Sequence, residues 1–336
     1  MSDNSKLDGL QIARAVAALG IAYFHSWHVT MPFPPEMAHP IPILMEYGWI
    51  AVDFFFAISG FVICLVVTSP NFRPVSFLVR RAFRLYPLWI ETSFIYLWLT
   101  NYIGRSERQT DAFFNWSLTL LPTNGFPFYD IGWSLQHEML FYVLAAVVTP
   151  WFGIYGVAAV LALGVAADHA TELPWYLHQY FFYYGNFLAG IAAFLVHRSG
   201  LRLGFILPLV LGIVAFRWAP TRSLFPMALF CWLVGFVNLN VSWRIGRLGA
   251  LLGDASYSIY LLHPLVFYWI YIKLQPPLPP LWMQEPLRYG ALLIVCVLAI
   301  SSWKLFEHPM IQIGSRVDRF FRSRRSTGAL VGQPLD

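Results

Sequence analysis

Apolar runs long enough to cross a bilayer recur along the whole chain, and they limit its fold more than any other feature. Hydrophobic residues fill 58% of the 336 positions and charged residues only 12%, against about 25% charged residues in soluble domains. No long polar stretch interrupts the pattern, so a separate soluble domain is not indicated. The composition therefore predicts an all-α, polytopic membrane protein.

The apolar runs divide the chain into about ten predicted transmembrane helices. Proline-rich connections mark two of the breaks, MPFPPEMAHPIP after the first helix and QPPLPPLWMQEP before the last. A cleaved signal peptide is another interpretation of the first run, but Arg14 interrupts it and no small-residue cleavage pattern follows, so we interpret it as a retained helix. The predicted helices cover residues 7–29, 44–67, 78–102, 132–150, 152–167, 176–197, 203–217, 223–242, 254–274 and 287–306.

Basic residues concentrate in the loops on one side of the predicted bundle. Ten helices place both termini on one side, which carries sixteen of the 22 Lys and Arg residues, while the other side carries six. The positive-inside rule assigns the richer side, and with it both termini, to the cytoplasm. Because the basic residues sit in short loops between apolar spans, the net charge of +5 indicates contact with membrane lipids and no nucleic-acid partner.

The three cysteines do not predict a disulfide framework or a metal site. Cys64, Cys231 and Cys296 all fall within apolar runs at unrelated spacing, which is typical of small buried side chains. No metal is therefore expected.

The first predicted helix carries two ionisable residues that a plain membrane helix lacks, Arg14 and His25, eleven residues apart. Ionisable groups inside a membrane are costly, so they usually face a cavity or a partner. At about 1.5 Å of rise per residue, they lie about 16 Å apart along the axis, near half of the hydrocarbon thickness. This helix therefore offers an anion-binding guanidinium at the cytoplasmic face and a titratable imidazole well inside.

Arginines form a predicted layer at the cytoplasmic face. Arg81 and Arg84 are three residues apart at the start of the third predicted helix, hence on one helix face, and Arg14 enters from the same side. Guanidinium groups bind phosphate oxygens bidentately, so the three together predict a phosphate site. The alternative is that they, like Arg73 and Arg80, are positive-inside anchors that contact lipid headgroups.

A second predicted layer lies nearer the outer side. Asp53 enters the membrane with the second helix, and Glu138 lies within the first two turns of the fourth helix, in WSLQHEMLFY. A carboxylate beside a histidine fixes its tautomer and raises its basicity, so we expect His25, Asp53 and Glu138 to lie at similar depth and to serve acid–base catalysis from one cavity. In the alternative, Asp53 and Glu138 only hydrogen-bond neighbouring helices. His28, one turn after His25, is interpreted as an interfacial residue, with a functional role as its alternative.

Hydroxyl groups cluster at the cytoplasmic start of the ninth predicted helix, in LGDASYSIYLLHPLVFYWIY. Ser256 and Tyr257 are candidates for binding a phosphate-bearing cofactor. Ser and Tyr also bridge helices in membrane bundles, so a structural role is the alternative. His263, mid-membrane and just before Pro264, is a lesser candidate.

In their order, these motifs resemble the acyltransferase-3 family, the integral-membrane acyltransferases of bacterial surface polysaccharides. The matching pieces span residues 7–309 and are LDGLQIARAVAALGIAYFH, GWIAVDFFFAISGFVI, the Arg81–Arg84 pair, WSLQHEMLFY, LGDASYSIYLLHP and FEHP. Each motif is weak alone, whereas the ordered set is specific. Gln11 departs from the family pattern, since many members have arginine there. The compact, aromatic-rich form is most similar to members that acylate exopolysaccharides such as succinoglycan.

The resemblance implies O-acylation at the bacterial cytoplasmic (inner) membrane. An acyl group, most often acetyl, would pass from cytoplasmic acyl-CoA to a hydroxyl of an exopolysaccharide, another surface glycan or a lipid-linked oligosaccharide. Acetyl-CoA is thus the implied co-substrate, with its phosphates on Arg14, Arg81 and Arg84 and its thioester near His25. The implied organisation is a membrane-embedded acyltransferase domain over residues 1–310 and a cytoplasmic basic tail over 311–336. The extracytoplasmic hydrolase-like domain of some members is not expected.

The mechanism that follows from the resemblance makes His25 the general base for the acceptor hydroxyl and then the acid for the departing thiolate. Glu138 or Asp53 would orient it, and transient acylation of His25 is the variant. Two other classes stay open: a proton-coupled transporter or flippase, which also holds intramembrane His, Asp and Arg, and a noncatalytic assembly or sensor protein.

Overall fold

The computed structural model describes residues 8–30, 46–102, 111–123, 125–218, 225–239, 243–274 and 280–330. Within these ranges the secondary structure is helical, with no strand. Short 3-10 turns cover Ser26–Thr30 and Asp130–Gly132, and a π turn at Trp303–Glu307 precedes the last helix. The α-helices are α1 (Asp8–His25), α2 (Ile50–Val67), α3 (Pro74–Tyr102), α4 (Asp111–Leu118), α5 (Trp133–Ala170), α6 (Trp175–Arg198), α7 (Ile206–Trp218), α8 (Phe225–Val237), α9 (Trp243–Asp254), α10 (Ser256–Leu274), α11 (Leu281–Ser302) and α12 (His308–Leu330).

Each of the ten predicted helices overlaps an observed one. The predicted break between residues 150 and 152 falls inside α5, where Pro150 is followed by Gly153 in a non-helical conformation with φ of +61°. A positive φ costs glycine little, and proline removes a backbone donor, so together they kink the helix. Three helices were not predicted: the short α4, the amphipathic α9, and α12.

The outer surface of the described bundle is strongly apolar. Three helical stretches are long and apolar enough to cross a membrane, namely Ile50–Val67, Asp130–Ala170 and Trp282–Phe321. Large side chains such as Trp151 and Leu305, each 81% exposed, project from the bundle. Contiguous exposed apolar surface of this kind marks contact with lipid, and it agrees with the predicted membrane protein. Two further apolar helices, Ile206–Arg217 and Phe225–Val237, are shorter.

Glycines bring the central helices into close contact. A Cβ on Gly60 of α2 would lie 2.3 Å from the carbonyl oxygen of Phe187 in α6, and one on Gly190 of α6 would lie 1.9 Å from that of Ala57. Small residues at such crossings let backbones approach, which is how membrane helices gain packing energy. At the start of α1, Gly253 of α9 meets the backbone of Gln11 in the same way.

The predicted boundary between residues 310 and 311 falls within α12, so the helix continues past it. This helix packs along α3: a Cβ on Gly314 would touch Phe83, and Arg80 Nε lies 3.3 Å from the buried Asp318 carboxylate. Both chain ends, residues 1–7 and 331–336, lie outside the described residues, as do Arg105, Arg108 and Arg222 from the topology count.

Candidate active site

A cavity of about 150 Å³ lies between α1, α2, α3, α5 and α10. Six residues that the sequence analysis selected line it: Arg14, Arg81, Arg84, Glu138, Ser256 and Tyr257. Three guanidinium groups and one carboxylate give its wall an excess of positive charge, which favours an anionic ligand. The predicted arginine layer is therefore a real cluster, assembled from two helices that are far apart in sequence.

Arg14 is held by a chain of polar side chains at the end of the cavity. Its Nη1 donates to Oε1 of Gln11, one turn earlier in α1, at 3.2 Å. Gln11 Nε2 in turn donates to Oδ1 of Asp254 in α9 at 2.9 Å. Gln11, the departure from the family pattern, thus orients Arg14 through an uncharged contact.

Arg81 and Arg84 are each held by a different kind of contact. The Arg81 guanidinium lies over the ring of Tyr142, 5.2 Å from its centroid, in a cation–π contact. Arg84 Nη2 is 4.0 Å from Oε1 of Glu307 in the π turn. Glu307 is itself almost completely buried, and its other oxygen accepts a 2.8 Å hydrogen bond from Ser258. Because stacking and ion pairing leave guanidinium donors available, Arg81 and Arg84 keep binding capacity toward the cavity.

Ser256 and Tyr257 begin α10 and face the cavity with different roles. The Tyr257 hydroxyl donates to the carbonyl oxygen of Leu85 in α3 at 2.7 Å, which is the bridging role that was the alternative. The Ser256 hydroxyl oxygen is buried and has no hydrogen-bond partner within the described structure. A buried hydroxyl without a partner is costly, so Ser256 Oγ is a candidate for a hydrogen bond to a ligand in this cavity.

One stripe of α5 forms the facing wall, with Ser134, Glu138 and Tyr142 spaced four residues apart. Glu138 Oε1 accepts a 2.9 Å hydrogen bond from Ser59 of α2 and another from Tyr142. Ser134 Oγ is 2.7 Å from the Tyr260 hydroxyl, which donates to the carbonyl of Ile131. These contacts hold the Glu138 carboxylate and the Ser134 hydroxyl in fixed positions on the cavity wall.

His25 does not line the cavity and is paired with His263 of α10. Its Nδ1 is 2.9 Å from Nε2 of His263, and the two rings lie nearly parallel, 13° apart. The Tyr260 ring, which lines the cavity, has its centroid 6.0 Å from that of His263. A single side chain therefore separates the imidazole pair from the cavity.

The two helices that carry these residues run in the same direction. Arg14 of α1 and Ser256 of α10 both line the cavity. His25 and His263, which lie further along the same two helices, are hydrogen-bonded to each other. Steps of eleven and seven residues are each close to a whole number of turns at about 3.6 residues per turn. Each helix thus presents its cavity residue and its histidine on one face.

Asp53 lies in a second pocket of about 240 Å³ and not in the arginine cavity. Its Oδ1 accepts a 2.6 Å hydrogen bond from Nδ2 of Asn186 in α6. The same pocket contains the 2.6 Å hydrogen bond between His178 Nδ1 and Asp168 Oδ1 at the junction of α5 and α6. Asp53 thus makes the interhelical contact that was the alternative to catalysis.

We expect Asp53→Asn to retain both stability and acylation, because an amide oxygen can still accept the Asn186 bond. Asp53→Leu leaves that buried donor unsatisfied and is expected to cost about 1–3 kcal/mol of stability. Thermal unfolding of the purified protein and glycan acylation in cells measure the two effects. Loss of acylation in Asp53→Asn at normal protein level would instead show that the carboxylate charge takes part in the reaction.

The structure does not place His25, Asp53 and Glu138 in one cavity, contrary to expectation. Of the three, only Glu138 lines the cavity with the arginines. The prediction assumed that α5 begins at the membrane surface, whereas Ile131 and Gly132 before it are buried, with Gly132 against the ring of Trp89. Glu138 consequently projects into the interior of the bundle, where it lines the cavity with the arginines. The side chain of His28 lies outside the described residues.

Sequence reasoning missed Glu307 and ranked His263 low. Both are intramembrane ionisable groups, so the rule that singled out His25 also applied to them. The FEHP segment contributes only to the family resemblance and does not by itself mark Glu307 as a site residue. No local pattern indicates that a π turn brings Glu307 close to Arg84. Single-turn π elements occur often at functional sites, but they are visible only in the structure.

An apolar helical bundle with a cavity lined by three arginines defines a membrane protein whose interior holds a positively charged site. A family model described as an acyltransferase domain, acyltransferase-3, matches residues 7–304, and the chain belongs to this family. It is thus a membrane acyltransferase, and the resemblance found in its motifs is confirmed.

The chain is also similar to a curated relative, the exopolysaccharide production protein ExoZ of Rhizobium meliloti (strain 1021). The two are 26% identical over an alignment of 329 positions, which covers 86% of this chain and 95% of the relative. No solved structure matches the chain.

Proposed function

We propose that this protein transfers an acyl group, most simply acetyl, from cytoplasmic acyl-CoA to a hydroxyl of an exopolysaccharide or another cell-surface glycan. The observation that carries the proposal is the arginine cavity, one side chain away from an imidazole pair. Membership of the acyltransferase family supports the reaction type. The printed name of the relative, an exopolysaccharide production protein, supports the acceptor class.

The donor is proposed to bind with its phosphates on Arg14, Arg81 and Arg84. Charge-assisted guanidinium–phosphate bonds are strong and often bidentate, and the positive wall suits them. The cavity of about 150 Å³ is smaller than the roughly 300–1,000 Å³ that encloses a drug-sized ligand. Only a narrow part of the donor therefore enters, with the nucleoside left on the cytoplasmic side and the acyl arm directed toward His25.

The topology proposed for this reaction has about ten transmembrane helices, both termini in the cytoplasm, and the arginine cavity on the cytoplasmic half of the inner membrane. The parallel course of α1 and α10 supports it, because the sequence assigns both helices an outward direction. About 16 Å of helix axis separates Arg14 from His25. The donor then stays on one side while its acyl group reaches an acceptor glycan or lipid-linked oligosaccharide nearer the other.

The chemistry is proposed to centre on His25. Its imidazole takes the proton of the acceptor hydroxyl while that oxygen attacks the thioester carbonyl carbon, so a C–O bond forms and the C–S bond breaks. The same imidazole then returns the proton to the thiolate, which leaves as free CoA. Glu138 remains a candidate catalytic residue, because its carboxylate lines the cavity between the arginines and Tyr260. Asp53 instead contributes to the packing of α2 on α6.

Mass spectrometry of surface glycans tests the proposal. Cells with the chain are compared with cells that lack it, and with cells that carry His25→Ala at matched protein level. We expect an acyl-sized mass on a glycan repeat only with the unaltered chain. Loss of the whole glycan from the surface, with no acyl-sized difference, would contradict acyl transfer and indicate a transporter or flippase.

A further inference from the structure

The contact between His25 and His263 determines where each ring carries its proton. His263 Nδ1 lies 3.1 Å from the carbonyl oxygen of Ile259, which can only accept a hydrogen bond. Nδ1 of His263 therefore bears the hydrogen. A neutral imidazole has one N–H, so Nε2 of His263 must accept, and the 2.9 Å bond is donated by Nδ1 of His25.

His263 is held in this neutral form by its surroundings. Its side chain is completely buried, and the ring of Phe267 packs edge-on against it with centroids 5.8 Å apart. An isolated buried charge is very costly, so the ring is stable as a neutral acceptor. The remaining ring nitrogen of His25, Nε2, then carries a lone pair.

We propose that His263 is a positioning residue that holds His25 in the tautomer whose basic nitrogen is Nε2. The inference rests on the proposed function. For that function it identifies a histidine, and not the predicted carboxylate, as the group that orients His25. In the reaction, the hydroxyl proton passes to His25 Nε2 and from there to the thiolate. The Nδ1 proton stays in the bond to His263 throughout, so the pair begins and ends each cycle in the same state.

A histidine partner differs physically from a carboxylate partner. Charge-assisted hydrogen bonds are roughly twice as strong as neutral ones, so a carboxylate would hold the imidazolium form of His25 more tightly. A neutral His263 fixes the tautomer and orientation of His25 but stabilises the imidazolium form of His25 less. The weaker stabilisation helps His25 Nε2 to return its proton to the thiolate. In the serine-protease triad, a wrong histidine tautomer lowers kcat by about 10⁴, which sets the scale for losing this partner.

Nitrogen-15 NMR of the full-length protein, labelled at histidine, reads the tautomers without any activity measurement. The His25 signals are identified by their absence from His25→Ala. We expect a protonated Nδ1 and an unprotonated Nε2 at His25, and loss of that preference in His263→Leu. A wild-type His25 protonated at Nε2 and not at Nδ1 would overturn the proposal, whether or not acyl transfer from acetyl-CoA is detected.

The kinetics of acetyl transfer in membrane vesicles distinguish a positioning role of His263 from a purely structural one. His263→Gln retains an amide oxygen that can accept from His25 Nδ1, so we expect it to stay within about tenfold of wild type. His263→Leu has no acceptor and is expected to lower kcat by about 10²–10⁴-fold with the KM for acetyl-CoA unchanged. Equal losses in the Gln and Leu variants would overturn the proposal.

Two controls complete the experiment. His197→Leu alters another partly buried histidine, on α6, whose ring packs at a tilted angle against that of Phe61, and it is expected to leave kcat unchanged. In a His25→Ala background, His263→Leu is expected to cause no further loss, because its effect passes through His25. A full additional loss there would show that His263 acts independently, and it would overturn the positioning role. Absence of transfer by the wild type would count against the proposed function, while the NMR result still decides the tautomer.

Discussion

His25→Ala is expected to abolish acylation of the surface glycan while the protein still accumulates and inserts in the membrane. General acid–base catalysis by a positioned side chain contributes about 10²–10⁴-fold, and here one imidazole serves both proton transfers. The fold should survive, because His25 is the last residue of α1, where a smaller side chain does not break the helix. Mass spectrometry of the glycan and immunoblotting of the membrane fraction measure the two effects.

The matched control for this variant is His178→Ala. His178 lines the pocket that contains Asp53, is about half exposed and pairs with Asp168, away from the arginine cavity. We expect acylation in this variant to equal that of the unaltered protein. Retained acylation in His25→Ala would contradict the assigned role of His25 outright.

Arg14→Ala is expected to raise the KM for acyl-CoA by about 10–100-fold with a much smaller change in kcat. Hydrogen bonds to charged groups contribute about 1.5–3 kcal/mol, and each 1.4 kcal/mol is a factor of ten. The loss falls on KM because Arg14, about 16 Å from His25 along α1, would hold the donor equally well before and during the reaction. Initial rates in membrane vesicles over a range of acetyl-CoA concentrations measure it.

Arg80→Ala tests whether this effect belongs to the cavity and not to basic residues in general. Arg80 is on the same helix as Arg81 and Arg84, but it is half exposed and faces Asp318 of α12. Removing it is expected to leave the KM for acetyl-CoA within about twofold, since Arg80 does not line the cavity. A similar KM increase in both variants would show that surface charge, not the cavity, attracts the donor.

Much of the fold could be predicted because apolar length and chain breakers are local signals. The kink of α5 at Gly153 follows from a proline and a glycine in sequence. The helices α9 and α12 could not be predicted in the same way, because they are more polar and are ordered by packing. Gly253 of α9 fits against the backbone of Gln11, and Asp318 of α12 meets Arg80.

The candidate site could be predicted only at positions where an ionisable residue is unusual for a membrane helix. Arg14, Arg81 and Arg84 were selected as costly or clustered cations, and the structure brings them to one cavity. The partner of His25 was sought among carboxylates, since these are the commonest orienting groups. The contact seen is His263, 238 residues away in the chain, which no local spacing encodes.

The sequence by itself determined that this is a helical membrane protein of the acyltransferase family, and that one helix carries a guanidinium and an imidazole on the same face. Those properties depend on composition and on helical periodicity, which are local. Only the tertiary structure decided that Glu138 lies with the arginines, that Asp53 belongs to a separate pocket, and that His263 meets His25. These contacts depend on how deep each helix begins and on which faces meet, and packing across the whole bundle sets both.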